Sequence, residues 1–257
     1  MPWVEIVAIL LAGVAAGTIN AVVGSGTLIT FPVLLAFGFP PVVANVSNNI
    51  GLVPGGVTAT LGYREELEGQ GRRIRLLAPM SFVGAITGAL LLLSLPAAAF
   101  ATIVPVLLGI ALVLVVAQPR MQAAMARRRA AAPQSSGRGH RGLAMAGTFV
   151  AGAYGGYFGA AQGVLLVGLL GSLLPESLQR VNALKNVLSL VVNSVAAVVF
   201  VSVARDSIDW RVVGLIAVGS LSGGFLGSRY GRRLPSSVLR ALIVVVGVVA
   251  IIRVTSS

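Results

Sequence analysis

Residues 20–32 read NAVVGSGTLITFP. Strongly apolar runs flank this stretch, yet it sets an amide, a Gly-Ser-Gly turn and two threonines where a membrane-spanning helix should continue. Unpaired backbone is costly in hydrocarbon, so a broken helix is tolerated at that depth only where protein or a water-filled cavity covers it. The stretch therefore predicts a break buried inside a membrane protein, provided that the rest of the chain belongs in a bilayer.

It does. Of 257 residues, 56% are hydrophobic and 10% charged, and the mean hydropathy is +0.95. Soluble domains carry about 25% charged residues. Apolar runs recur along the whole chain, and they are continuous, as in VGLIAVGSLSGGFLG, rather than alternating. That pattern predicts helices and not a barrel. The net charge of +12 sits on arginines in the loops, which reads as orientation by the positive-inside effect and not as a nucleic-acid surface. The absence of cysteine excludes thiolate metal sites and thiol relays, and the single histidine, His140, has no second ligand nearby. No metal or cofactor is expected. The first apolar run, from Trp3, lacks a basic start and a small-residue cleavage site, so it reads as a retained helix.

The apolar segments fall at roughly 3–23, 27–38, 42–62, 74–95, 97–117, 143–158, 163–174, 181–203, 211–228 and 236–254. Segments 27–38 and 163–174 are short, ~18 Å as helices, and do not reach across ~30 Å of hydrocarbon. Both follow a glycine-rich break, and both precede a longer helix that opens with polar residues. A shift of 137 residues lays Gly26 on Gly163, Asn45 on Asn182 and Asn49 on Asn186; with a two-residue gap, Ala12-Gly13 falls on Ala151-Gly152. This is an internal duplication: a first membrane repeat over 1–117, an arginine-rich linker over 118–142, and a second repeat over 143–257. Paired short, glycine-interrupted segments are the best sequence pointer to a transporter's binding site.

Loop charge orients the halves. Arg120, Arg127, Arg128, Arg129, Arg138 and Arg141 place the linker in the cytoplasm, on the side of Arg64, Arg72, Arg73 and Arg75 and of Arg229, Arg232 and Arg233. The balanced loop ARDSIDWR belongs outside, and Arg253 is a mild dissent. Five elements per half then make the repeats inverted, with both termini outside. The linker's Pro, Gly and Ser content and its repelling arginines argue against a packed core.

Within the expected bilayer zone one side chain is formally charged, Lys185, which is also the only lysine in the chain. An ionisable residue at that depth points to function by default. Asn182, Lys185, Asn186, Ser189 and Asn193 recur at spacings of three and four, which puts them on one helix face. The first half has Asn45, Ser47, Asn48 and Asn49, with Asn48 aligned to Lys185. Snorkelling of the lysine and amide contacts between helices are the bland explanations. Broken helices leave N–H groups and a positive dipole end that favour anions. All seven carboxylates fall in loops or near helix ends, whereas cation carriers and proton relays need acids in the membrane. Gly84/Gly88, Gly219/Gly223 and Gly223/Gly227 fit close helix contacts, as do Gly13, Gly17, Gly152 and Gly156.

The stretch AGVAAGTINAVVGSGTLITFPVLLAFGFPPVVANVSNN, with its weaker echo AGAYGGYFGAAQGVLLVGLLG, resembles the TauE/SafE family of sulfite and organosulfur anion transporters. The likeness covers nearly the whole chain in hydropathy and duplication. It implies transport of sulfite, thiosulfate, sulfonates or related anions across the bacterial inner membrane. The second half departs from the family pattern: the glycine run is GAAQG, Leu169 aligns with Pro32, and Lys185 stands where a small or polar residue is usual.

The expected protein is thus an all-α, multi-pass integral membrane protein, an inverted repeat of two five-element halves with about eight to ten membrane helices, some short or broken. Its expected substrate site lies between the breaks and the polar helix starts. Asn20, Gly24, Ser25, Gly26 and Thr27 donate from one half, with Asn45, Asn48 and Asn49 nearby. Gln162, Gly163, Asn182, Lys185 and Asn186 close it from the other, Lys185 neutralising charge. Access alternates as one half rocks against the other. The expected partners are a small anionic substrate and the lipid bilayer, with homo-oligomerisation open. Another small anion such as a carboxylate is the alternative cargo. A non-transport assembly factor fits less well, and so does an enzyme, since no acid–base pair lies at membrane depth.

Overall fold

The computed structural model describes residues 1–131, 138–230 and 236–255. Arg232, Arg233 and stretch 132–137 of the expected linker lie outside the described residues, as do the side chains of Arg128, Arg129, Arg138 and Arg253. The described residues form ten α-helices: α1 (Trp3–Val22), α2 (Thr27–Ala36), α3 (Pro41–Gly62), α4 (Gly71–Ser94), α5 (Ala97–Ala131), α6 (Arg138–Tyr157), α7 (Gln162–Leu173), α8 (Leu178–Val203), α9 (Trp210–Arg229) and α10 (Ser236–Thr255). Single 3-10 turns, Glu65–Leu67 and Arg205–Ser207, join α3 to α4 and α8 to α9.

Among the described residues, five helical stretches are long and apolar enough to cross a bilayer: Trp3–Val22, Gly71–Ser94, Ala97–Ala124, Leu178–Val203 and Trp210–Arg229. Helices α2, α3 and α7 fall short for physical reasons. Helices α2 and α7, at 10 and 12 residues, reach only ~15 and ~18 Å. Helix α3 is long enough, but Asn45, Ser47, Asn48 and Asn49 make its first half polar, and all four are buried inside the protein. Helix α5 runs 35 residues to Ala131, so the stretch from 118, expected to open a loose linker, continues a helix. Its alanines, methionines, glutamine and arginines are good helix formers, and that propensity prevails over arginine repulsion.

Small residues decide which helices meet. A Cβ added to Gly13 or Gly17 of α1 would press on Ile216 and Gly219, or on Ser220 and Gly224, of α9, so the two backbones touch and run parallel. Gly51 and Gly55 of α3 meet Ile216 and Ser220 in the same sense. Hydroxyls pin this trio, with Thr18 Oγ1 donating to Gly223 O (3.1 Å) and Ser220 Oγ to Gly51 O (2.8 Å). In the other half, Gly84 and Gly88 of α4 lie against Phe149, Ala153 and Tyr157 of α6, again parallel.

The packing pairs exchange when five is added to each helix number. The α1–α9 contact returns as α6–α4, α1–α2 as α6–α7, α2–α10 as α7–α5, and α2–α3 as α7–α8. Directions exchange as well. Helices α1, α3 and α9 run one way; α4, which follows α3 through a short turn, runs back together with α6. Helix α8 opposes α3, since Asn49 meets Asn193 while Gly56 meets Leu190. Helices α6, α8 and α9 therefore run against their counterparts α1, α3 and α4. One end of the bundle gathers the α3–α4 turn, the start of α8 and the ends of α5 and α9, with Arg64, Arg72, Arg73, Arg75, Arg180 and Arg229. The opposite end holds Glu5 and the balanced Arg205, Asp206, Asp209 and Arg211.

Candidate functional site

The stretch 23–26 turns the chain sharply between α1 and α2, with Gly24 at φ 87°. The counterpart 158–161 turns between α6 and α7 with Gly159 at φ 77° and Ala161 at φ 61°. A left-handed alanine is strained, by roughly 1–2 kcal/mol, and stands where the sequence has GAAQG in place of a fuller glycine run. The breaks touch: Gly163 N donates to Gly24 O at 3.0 Å. Phe31 of α2 packs edge-on to Phe158 with centroids 5.1 Å apart, tying the first hairpin to the second break.

Much of the backbone freed by the breaks is satisfied inside the protein. Gly24 N donates to Ile19 O (3.0 Å), Gln162 N to Gly159 O (3.3 Å), and Gly26 N to Asn20 Oδ1 (2.6 Å). The Asn20 oxygen is thus an acceptor for its own break, where the sequence suggested a donor to substrate.

The polar helix starts of α3 and α8 cap the opposite half. Asn182 and Asn186 donate to Ala21 O at 3.0 and 3.3 Å, and Lys185 Nζ to Asn20 O at 2.7 Å and Ala21 O at 3.5 Å. These carbonyls end α1, where unpaired C=O groups and the negative dipole end favour a cation. In the other direction Asn45 donates to Tyr157 O, at the end of α6, at 2.9 Å. Asn48, the counterpart of Lys185, instead binds Thr30 and Thr27 at the start of α2. Lys185 is fully buried. A Cβ on Gly24 or Gly163 would come within 3.1 or 2.8 Å of its Cδ, so the aliphatic stem runs directly behind both glycines.

In front of those glycines lies a cavity of about 30 Å³. Asn20, Gly24, Thr27, Gln162, Gly163 and Asn186, all expected in the site, line it. Ser25, Gly26, Asn45, Asn48, Asn49, Asn182 and Lys185 do not; Gly26, Asn45, Asn48, Asn182 and Lys185 make the bonds just described, Asn49 makes a long 3.5 Å contact to Asn193, and the buried Ser25 hydroxyl has no partner. Ser189 and Asn193 also line the cavity, with Leu52, Gly56, Ala59, Gly159 and Leu190. The three-and-four spacing from Asn182 to Asn193 carried the signal for the two polar ones; nothing separated Gly56 from a packing glycine. The Gln162 side chain is buried against Gly155, where a Cβ would fall 2.4 Å from its Cδ, and its Nε2 has no partner. Ser189 Oγ likewise has none. The wall therefore offers neutral hydrogen-bond donors backed by one lysine amine. Among the described residues no cluster of His, Cys, Asp or Glu could hold a metal.

Beside the start of α8, Glu176 pairs with Arg73 of α4 and accepts from Arg180 Nε at 2.6 Å. Arg180 Nη2 reaches Glu68 O (2.9 Å), and Gln70 Nε2 donates to Arg180 O (2.9 Å). Burial pushes the Glu176 carboxyl up, but the two guanidiniums outweigh it and hold the group below its ordinary value.

The model of the family described as Sulfite exporter TauE/SafE matches residues 9–254. A probable membrane transporter protein of Haemophilus influenzae is 25% identical over 94% of this chain and 91% of its own length. The probable membrane transporter protein YfcA of Escherichia coli is 28% identical, over 91% of this chain and 83% of its own. The probable membrane transporter protein ORF9 of a Sinorhizobium species is 27% identical, over 95% and 90%. No solved structure matches the chain.

Proposed function

The chain belongs to the sulfite exporter TauE/SafE family of membrane transporters, and on that premise we propose that it carries small sulfur-containing anions, such as sulfite, thiosulfate or sulfonates, by alternating access. The observation that carries this reading is the buried, partnerless amide nitrogen of Gln162, a residue that lines the cavity where the two broken helices meet. A buried donor without a partner is costly, and an oxyanion oxygen supplies what it lacks. Lys185 stands behind the same wall, bound to the end of α1, and supplies charge without touching the cargo.

The cavity has roughly the volume that one water occupies in the liquid, so α3 and α8, or one hairpin, part to admit an anion. The exchanged packing of the two inverted halves suits such a rocking motion. The arginine-rich end faces the cytoplasm of a bacterial inner membrane, and both termini lie outside.

Flux into proteoliposomes tests the proposal. The wild-type protein should move sulfite down its gradient, and Gln162→Leu should slow it about tenfold or more at limiting substrate. Absence of anion flux in the wild type, or full flux in the variant, would contradict it.

A further inference from the structure

We infer that the site takes an oxyanion bearing a single negative charge and rejects a doubly charged one of the same shape; this rests on the anion-carrier reading above and narrows its cargo to hydrogensulfite and sulfonates, with thiosulfate disfavoured. The lining side chains Asn20, Thr27, Gln162, Asn186, Ser189 and Asn193 are all neutral. The charge comes from one fully buried ammonium, Lys185, one layer behind the glycines. Among the described residues no cation lines the cavity, and the next basic residue on α8, Arg180, lies at the helix start and is committed to Glu176 and to Glu68 O.

Burying an ion away from water is tolerated when an opposite charge and hydrogen bonds replace its hydration. One ammonium balances one negative charge. Part of its field is already directed at the carbonyl end of α1, through Asn20 O at 2.7 Å. A second negative charge would lose its water and gain no counter-ion. The unpartnered Gln162 Nε2 and Ser189 Oγ can each serve one oxygen of a tetrahedral or pyramidal anion whatever its charge. The lysine therefore sets the charge that is accepted, while the neutral donors recognise the oxygens.

Three compounds of one tetrahedral shape separate these effects: neutral dimethyl sulfone, singly charged methanesulfonate and doubly charged sulfate. Their binding to the full-length wild-type protein in nanodiscs at neutral pH is read by calorimetry. The expected order is methanesulfonate tightest, with sulfate weaker by about tenfold or more and the sulfone weaker still. In Lys185→Met, which keeps the stem behind Gly24 and Gly163, the preference for methanesulfonate over the sulfone should collapse while the thermal midpoint stays measurable. Sulfate binding as tightly as methanesulfonate, or discrimination surviving in Lys185→Met, overturns the inference and leaves the carrier reading standing. Binding of none of the three, together with no sulfite flux, overturns both.

Discussion

Gly163 N–H donates to Gly24 C=O across 3.0 Å, and a Cβ on either glycine would fall 2.5 Å from the other's Cα. Two helices that end inside the protein are thereby held backbone to backbone, with the Lys185 stem beneath them. Gly163→Ala should cost about 1–3 kcal/mol through overpacking, and Gly24→Ala more, because its φ of 87° also disfavours a side chain. Gly38→Ala isolates that second effect: its φ is 84° but nothing lies within 4 Å of an added Cβ, so about 1 kcal/mol is expected. Gly109→Ala in α5, with open space and helical backbone, should be neutral or stabilising. Thermal midpoints in detergent check the ranking, and a Gly163→Ala protein as stable as the wild type breaks it.

The two halves cap each other's broken helix unequally. Ala21 O receives Asn182, Asn186 and Lys185, whereas Asn45 is the side chain that reaches Tyr157 O. Asn45→Ala should therefore cost about 1–3 kcal/mol, the scale of depriving a partly buried carbonyl of its side-chain donor. Asn182→Ala should cost less, since two donors remain on Ala21 O. Paired stability measurements of the two alanine variants decide this, and equal losses would show that the extra donors at Ala21 do not compensate.

The Glu176 clasp makes a prediction about pH. Its carboxyl is held below the ordinary value of 4.5 by Arg73 and Arg180 against the opposing effect of burial. A lowered folded-state value means that the ion pairs stabilise fully above that ordinary value, and that the contribution disappears as pH falls through the lowered one. At neutral pH Glu176→Gln should cost up to about 1 kcal/mol, the scale of a partly exposed pair. The wild-type and variant midpoints should converge in acid. A gap that persists or widens there would point away from charge as the cause.

How far the sequence could be read follows from what kind of signal each feature leaves. Every helix was visible as an apolar run, because hydrocarbon demands continuous apolarity. The shortness of α2 and α7 was visible for the same reason, and the 137-residue register came from the polar and glycine residues that interrupt the runs, Asn45 with Asn182 and Gly26 with Gly163. The course of α5 past residue 117 was not visible, because the apolar run stops there while helix-forming residues continue. Periodicity placed Asn182, Lys185 and Asn186 on one face but could not say what that face meets. That it meets the carbonyl end of α1 depends on long-range packing. Likewise, glycines announced freed N–H groups at residues 24–26, yet only the folded chain shows Asn20 Oδ1 accepting from Gly26 N. The unpartnered donors of the cavity wall, Gln162 Nε2 and Ser189 Oγ, emerge only from the bonds made and unmade in the folded chain.

The central claim is that an oxyanion binds where the two breaks meet. Anomalous diffraction from crystals of the full-length protein grown with selenite, a heavier analogue of sulfite, tests it most directly. A selenium peak is expected in the cavity between Gly24, Gln162 and Ser189, with an oxygen in hydrogen-bond reach of Gln162 Nε2. A strong peak elsewhere in the protein, with that cavity empty, would contradict it.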